Sequence, residues 1–276
     1  MSGEGLELKF WGTRGSLPTA SPEHREFGGC TMCVELRFGE AVIFFDAGSG
    51  LPFAGKELWA EGKRDFHIFF THGHYDHIMG LPFFLPVYKP ETQLTMWSGH
   101  LGPGGTTAGM VADFMREPFF PVGPEVFKAQ VEMRDFRAGD TLRPVDGLTM
   151  HTAMLNHPGG AVGYRVECAG KIIAMVFDTE HEPGKEDPVV LDLMRGADLV
   201  LYDSNFTDAE FDWFRTFGHS TWQEGVRLAK AAGAKRIAFV HHSTFRTDAE
   251  LRQIEAEAQK LFPGAFCARD FQVVSV

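Results

Sequence analysis

Short apolar runs recur along the chain and end at Gly, Pro or Asp, which is the pattern of β-strands. Two of them, residues 41–46 and 171–177, are almost continuously apolar, and this favours strands that are buried on both faces. Further strands are predicted at residues 6–11, 32–38, 67–71, 93–97, 148–155, 163–168, 198–202, 236–241 and 271–275.

Helical periodicity is clearest at residues 221–232 and 248–261. Both segments open beside a Ser or Thr near the expected cap, and the first ends at Gly233. Weaker helical patterns lie at residues 78–85, 107–116, 188–194 and 208–214. Strands and helices in both halves suit two packed sheets flanked by helices. Because no linker rich in Gly, Ser or Pro divides the chain, we expect residues 1–276 to form a single domain.

Composition narrows the class of protein. With 276 residues and 44% hydrophobic content, the chain is ample for a sizeable core. A formal charge of −11 repels phosphate backbones and argues against a partner that is a long nucleic acid. No apolar run approaches membrane-spanning length and no secretory signal is evident, so we expect a cytoplasmic protein without membrane contact.

Two features leave alternatives open. Residues 99–125 are irregular and rich in Gly and Pro, which suits either an active-site lid or an ordinary surface excursion. Cys30 and Cys33 could form a redox or zinc pair, but the other two cysteines are isolated, so buried reduced thiols are favoured.

The main chemical signal is a cluster of four residues directly after the strand at residues 67–71. It contains His72, His74, Asp76 and His77. In an extended segment, side chains two positions apart point the same way, so His72 and His74 can reach one metal ion. As the chain turns, Asp76 and His77 can reach a second. Neutral imidazole and carboxylate suit zinc and similar ions.

One cluster cannot complete two coordination spheres, so further ligands must come from distant parts of the chain. Three candidates lie at strand ends, where ligands are held rigidly: His157, Asp178 and His241. A carboxylate such as Asp178 can bridge two cations. His242, next in the sequence, is the alternative to His241.

The His-x-His-x-Asp-His cluster, followed in order by the three distant candidates, resembles the metallo-β-lactamase superfamily over essentially the whole chain. The resemblance implies an α+β fold, a four-layer αββα sandwich, and Asp46 supporting the site from behind. It also implies two divalent transition-metal ions, most simply zinc, with manganese or iron as alternatives. Its ligand sets are His72, His74 and His157 on one ion, Asp76, His77 and His241 on the other, and Asp178 between them.

A second motif resembles the phosphodiesterase branch of this superfamily, which includes ribonuclease Z and cyclic-nucleotide phosphodiesterases. It consists of Gly218-His219-Ser220-Thr221 and the Asp203 that follows an earlier strand. The resemblance implies that His219 contacts the scissile phosphate or donates a proton, with Asp203 as its orienting partner. Asp76 would help to steer the proton of the attacking hydroxide. Arg14 suits either binding of an anionic substrate or bracing of the first hairpin.

These observations favour a metal-dependent hydrolase that cleaves a small phosphodiester, such as a cyclic nucleotide, with a metal-activated hydroxide. Ribonuclease-Z-like RNA processing is the first alternative, but the acidic charge and the absence of a basic inserted arm argue against it. A thioester or lactone hydrolase on the same centre is the second. A non-catalytic metal or nucleotide binder is the third. A homodimer is left open.

Overall fold

The computed structural model describes residues 6–276, which form two mixed β-sheets of seven strands each. The first sheet has the order β14-β1-β2-β3-β4-β5-β6. Its strands are β1 (Glu7–Gly12), β2 (Cys33–Phe38), β3 (Ala41–Phe45), β4 (Asp65–Phe70), β5 (Gln93–Ser98), β6 (Gln130–Asp135) and β14 (Val273–Ser275).

The second sheet has the order β13-β12-β11-β10-β9-β8-β7. Its strands are β7 (Thr141–Leu142), β8 (Leu148–Leu155), β9 (Ala161–Cys168), β10 (Lys171–Val176), β11 (Leu199–Asp203), β12 (Ile237–Val240) and β13 (Ala265–Cys267). The helices are α1 (Leu51–Ala60), α2 (Tyr75–Ile78), α3 (Thr107–Phe114), α4 (Pro188–Met194), α5 (Trp222–Ala231) and α6 (Asp248–Leu261).

The two sheets pack face to face, with helices on both outer surfaces. One hydrophobic cluster draws residues from both sheets, a second joins the first sheet to α1–α3, and a third joins the second sheet to α4–α6. β3 shows how an apolar run produces this arrangement. Its Ile43 and Phe45 face the other sheet, whereas Val42 and Phe44 face the helices. The expected four-layer αββα sandwich is confirmed.

Helix caps follow the predicted chemistry. The side chain of Thr221 accepts a hydrogen bond from the backbone of Glu224 at the start of α5. At the start of α6, Thr247 and Glu250 form a reciprocal capping box. These local bonds satisfy backbone N–H groups that have no partner within the helix.

Two predicted helices are wrong, and four observed elements were not predicted. Residues 78–85 do not form one helix, since α2 ends at Ile78 and two short 3₁₀ turns follow, Leu81–Phe83 and Leu85–Tyr88. A proline in each turn removes a backbone donor and ends regular helix. Residues 208–214 contain only a 3₁₀ turn. Helix α1 and the strands β6, β7 and β13 lacked a periodic pattern strong enough to be predicted.

Candidate metal centre

Parallel strands bring the predicted site residues to one edge of the sandwich. β3 runs parallel to β4, and β10, β11 and β12 run parallel to one another. The carboxyl ends of parallel strands lie on the same side of a sheet. The residues at or just after these ends are Asp46, His72, Asp178, Asp203 and His241, and His157 follows β8.

The first cluster consists of His72, His74, His157 and Asp178, each with one ligand atom within 4.8 Å of the others. Nδ1 of His74 lies 2.8 Å from Nε2 of His72 and 3.1 Å from Nε2 of His157. Oδ2 of Asp178 lies 3.6 Å from His72 Nε2 and 3.7 Å from His157 Nε2. Four ligand atoms of the kinds that bind zinc therefore face a common point.

The second cluster consists of Asp76, His77 and His241. Nε2 of His241 lies 3.1 Å from Oδ2 of Asp76 and 3.3 Å from Nε2 of His77. Oδ1 of Asp178 lies 3.2 Å from His77 Nε2 and 3.3 Å from His241 Nε2. The Asp178 carboxylate thus directs one oxygen toward each cluster. All seven side chains predicted as ligands converge here.

The ring atoms that point away from the clusters are held by neighbours. Nδ1 of His77 donates to Oδ2 of Asp46 at 2.7 Å, and Nδ1 of His157 donates to the carbonyl of Gly218 at 2.8 Å. Asp46 also accepts bonds from the backbone and hydroxyl of Thr71. With Nδ1 protonated, Nε2 of His157 carries a free lone pair that faces the first cluster, and Nε2 of His77 is directed toward the second. Asp46 therefore supports the site from behind.

Close backbone approach at two glycines shapes the centre. A Cβ at Gly15 would lie 2.2 Å from Cε1 of His241, and a Cβ at Gly218 would lie 2.3 Å from Nδ1 of His157. Gly218 also has a φ of +83°, which disfavours other residues. His241 itself adopts a φ of +56°, an uncommon conformation for a residue with a side chain. The rings of His157 and His241 therefore need glycine beside them, because any side chain at Gly15 or Gly218 would collide with them.

The buried carboxylates of the centre are stabilised by neighbouring positive charge. Burial alone would raise the pKa of Asp178, but His241, His77 and His72 hold it well below its usual range. Burial alone would lower the pKa of His77, but the surrounding carboxylates, led by Asp178 and Asp76, raise it well above the usual value. Divalent cations would balance these carboxylates.

The imidazole nitrogens and carboxylate oxygens of the centre are also in a state that suits coordination of metal ions. Burial lowers the pKa of His72, His74 and His157, so these imidazoles are neutral and free to coordinate. Within residues 6–276, Oδ1 of Asp178 is buried with no hydrogen-bond donor. A buried acceptor without a donor is costly, and a bound cation would satisfy it.

His219 lies beside both clusters. Its Nδ1 is 3.1 Å from Oδ2 of Asp203 and 3.8 Å from Oδ2 of Asp178, and its ring stacks on His241 with centroids 4.7 Å apart. Burial would lower the pKa of His219, but the Asp203 carboxylate raises it to about 9. Glu180 holds Gly218, the residue before His219, because Oε2 of Glu180 accepts from the backbone N–H of Gly218 at 2.8 Å. Asp203 therefore favours the charged form of His219, whose ring faces the centre.

The structure separates two other residues from the centre. His242 is buried and donates from Nε2 to the carbonyl of Ala268, so it points away from the clusters that His241 joins. Arg14 is fully buried, and its guanidinium donates to the carbonyls of Gly28, Ser243 and Arg246. Arg14 therefore braces the first hairpin against the segment after β12, as one of the two predicted alternatives states.

Three residues near the centre were not found from the sequence. The backbone of Ser16 donates to Oδ2 of Asp76 at 2.7 Å. The amide of Asn205 donates to the carbonyl of His241. His100 is buried beside His72, with ring centroids 6.4 Å apart, and burial lowers its pKa to about 4. Backbone donors carry no sequence signal, and an isolated Asn or His gives only a weak one.

Comparison with known proteins identifies the family. A sequence model described as the β-lactamase superfamily domain matches residues 42–242, about three quarters of the chain. The chain belongs to the metallo-β-lactamase superfamily. It is a hydrolase of that superfamily, and the fold implies divalent metal ions.

Curated relatives of this superfamily member align with nearly the whole chain. Ribonuclease Z of Enterococcus faecalis is 24% identical, with 98% of this chain and 97% of the relative covered. Ribonuclease BN of Cronobacter sakazakii is 25% identical, with 98% and 100% covered. Among solved structures, the metallo-β-lactamase fold protein YhfI of Bacillus subtilis gives a TM-score of 0.74 at 17% identity, with 99% and 100% covered.

Two further structures are similar to this hydrolase. A diphosphatase of the PhnP family gives a TM-score of 0.69 at 19% identity, with 98% of both chains covered. The short form of human tRNase Z gives 0.68 at 23% identity, with 98% and 99% covered. At these identities the likeness establishes the fold alone. Within the described part of the chain, no helix is long and apolar enough to cross a membrane.

Proposed function

We propose that this protein is a two-metal hydrolase of small phosphodiesters, with cyclic nucleotides among the candidate substrates. The observation that carries the proposal is the Asp178 carboxylate, which directs Oδ2 toward one histidine cluster and Oδ1 toward the other. One carboxylate shared in this way suits two cations bound side by side. When bound, such ions would lower the pKa of a coordinated water and withdraw charge from a phosphoryl oxygen.

The metal ligands follow from the two clusters. His72, His74 and His157 would hold one ion, Asp76, His77 and His241 would hold the other, and Asp178 would bridge them. Zinc suits this set of imidazoles and carboxylates, and manganese or iron are the alternatives.

The roles of the remaining polar residues favour phosphodiester cleavage. His219 is cationic beside Asp203 and faces both clusters, so it can stabilise negative charge on a phosphoryl group and protonate a departing oxygen. Asp203 orients the ring and favours its charged form. Asp76, whose Oδ2 accepts from the backbone of Ser16 and lies 3.1 Å from Nε2 of His241, can help to steer the proton of the attacking hydroxide.

Ribonuclease-Z-like RNA processing is the second candidate function, because curated relatives of that name align with 98% of this chain. The alignment to the Enterococcus faecalis protein spans 317 positions, more than the 276 residues of this chain, so the relative carries insertions that are missing here. The formal charge of −11 also opposes binding of a long polyanion. We therefore favour the small phosphodiester.

One screen tests both candidates. Protein reconstituted with zinc or manganese is assayed with 2′,3′- and 3′,5′-cyclic nucleotides, bis(p-nitrophenyl) phosphate and a precursor transfer RNA, and its metal content is measured. We expect about two ions per chain and hydrolysis of small diesters. Cleavage of the RNA alone would favour the second candidate, and failure to retain any transition-metal ion would refute both.

A further inference from the structure

A cavity of about 530 Å³ opens beside the metal centre. It lies between the segment that follows β4 and helix α3, and this volume is within the range of roughly 300–1,000 Å³ found for small-molecule sites. Gly73, which separates the predicted ligands His72 and His74, forms part of its wall. A group bound in this cavity would therefore be next to the reacting phosphate.

The cavity wall is apolar and aromatic on one side. Tyr75 and Phe114 both line it, with ring centroids 6.1 Å apart, and Tyr75 is 68% exposed. The thioether of Met110 packs over Gly73, where a Cβ would lie 3.0 Å from Sδ. Exposed aromatic rings and a polarizable sulfur favour contact with a flat π-system.

His100 supplies a polar group to the same cavity. The residue is 9% exposed and lines the cavity, and within residues 6–276 its Nδ1 is buried without a hydrogen-bond partner. Nδ1 has no acceptor to receive a proton, and buried N–H groups without an acceptor are rarer than buried acceptors without a donor, so the tautomer with the proton on Nε2 is favoured. Nε2 faces the Gly73 side of the cavity, since a Cβ built on Gly73 would lie 3.6 Å from this nitrogen. His100 therefore offers the cavity a hydrogen-bond donor.

We propose that this cavity binds a planar heteroaromatic group of the substrate, such as a nucleobase, with His100 as the donor that selects it. The inference rests on the proposed phosphodiesterase function and names the substrate class, a diester that carries a nucleoside. Tyr75, Phe114 and Met110 would contact the faces of the ring, and Nε2 of His100 would donate to an oxygen or nitrogen at its edge.

The test compares three diesters with the same p-nitrophenol leaving group. The second ester group is thymidine, phenyl or methyl, so that the group offered to the cavity is a base, a ring without an acceptor, or neither. For the wild-type enzyme we expect kcat/KM for thymidine to exceed that for methyl by about tenfold or more, with phenyl in between. His100→Phe should reduce the thymidine value about tenfold and leave the methyl value and the metal content near normal.

Two further variants keep the inference testable if His100→Phe does not fold. Met110→Ala should weaken both ring-bearing diesters relative to the methyl diester, and His100→Gln, which retains a donor, should keep part of the thymidine preference. Phe119→Ala alters an exposed side chain of the neighbouring segment outside the cavity and is the matched control. Equal losses on all three diesters, or no preference in the wild-type enzyme, would overturn the inference.

Failure of the proposed function is distinguished by a binding experiment. If no diester is hydrolysed, calorimetry with thymidine and adenosine monophosphates on the metal-loaded protein tests the cavity directly. Binding that His100→Phe weakens at least fivefold would support the cavity assignment without phosphodiesterase activity. Absence of binding, or binding that this variant does not change, would refute it.

Discussion

Nδ1 of His219 lies 3.1 Å from Oδ2 of Asp203, and the carboxylate that orients the ring is fully buried. The two residues are 16 positions apart. Asp203 ends β11, and His219 lies just before α5, in the connection that leads from β11 to this helix. A buried carboxylate that faces one imidazole both fixes the ring and stabilises its charged form. In the proposed function this pair has a role separate from that of the seven predicted ligands, and the variants below test that separation.

His219→Ala should lower kcat by about 10²–10⁴-fold, the range for loss of one general acid. Asp203→Asn should lower it less, because the ring remains in place. Metal content, measured by elemental analysis, should stay near that of the wild-type enzyme in both variants. A loss of metal from His219→Ala would mean that His219 is a ligand and not a proton donor.

Asp178→Asn should reduce the metal content and abolish hydrolysis, because the amide offers one oxygen where the carboxylate offers two. The expected result is fewer than two ions per chain and weaker retention of the remainder on dialysis. Asp192→Asn, at an exposed position on α4, is the control and should retain full metal content. A fully loaded Asp178→Asn variant would contradict the shared carboxylate.

Gly15→Ala should damage the site without disturbing the sheets. The new methyl group would lie 2.2 Å from Cε1 of His241, so this ring must move away from Asp76 and His77. We expect loss of metal from the second cluster and a fall in kcat, with an unchanged far-ultraviolet circular dichroism spectrum. Gly102→Ala, where a Cβ would meet nothing within 4 Å, should behave like the wild-type protein.

Removal of metal should lower thermal stability. Without cations, the buried carboxylates of Asp76 and Asp178 rely on imidazoles for compensation. Zinc present at 100 times its Kd should add about 2.7 kcal/mol to the free energy of unfolding. Tm is measured in chelator and after titration back with zinc. Equal Tm values in both conditions would argue against binding at this centre.

Asp270 should make stability depend on pH. Burial raises the pKa of this carboxyl from 3.8 to about 6, although it accepts bonds from the backbone of Thr13 and Cys30. The folded protein thus holds the proton more tightly than the unfolded chain. The stabilising contribution is present below pH 3.8 and is lost as the pH rises through about 6.

Asp270→Asn cannot titrate and isolates this effect. The free energy of unfolding of the wild-type protein, relative to that of the variant, should fall between pH 4 and pH 7. Urea unfolding of both proteins at several pH values measures the difference. A difference that stays constant, or rises with pH, would contradict the raised pKa.

Local sequence patterns determined much of the fold. The apolar run at residues 41–46 predicted a strand buried on both faces, and β3 is such a strand because its side chains alternate between two hydrophobic layers. A Thr at the expected cap, Thr247, marked the start of α6, and the bonds that it forms with Glu250 span only three residues. The spacing of His72, His74, Asp76 and His77 likewise indicated a metal site. In an extended segment the first two side chains point the same way, and the turn that follows directs the other two toward a second ion.

Only the tertiary structure decided the rest. The direction of the two Asp178 oxygens, the choice of His241 over His242, and the burial of Arg14 among carbonyl groups depend on which strands are neighbours. Contact between residues more than a hundred positions apart is set by sheet order and backbone path. No local period encodes these. Residues 99–125 were a candidate lid, but the cavity beside His100 forms only where part of this segment meets Gly73 and Tyr75.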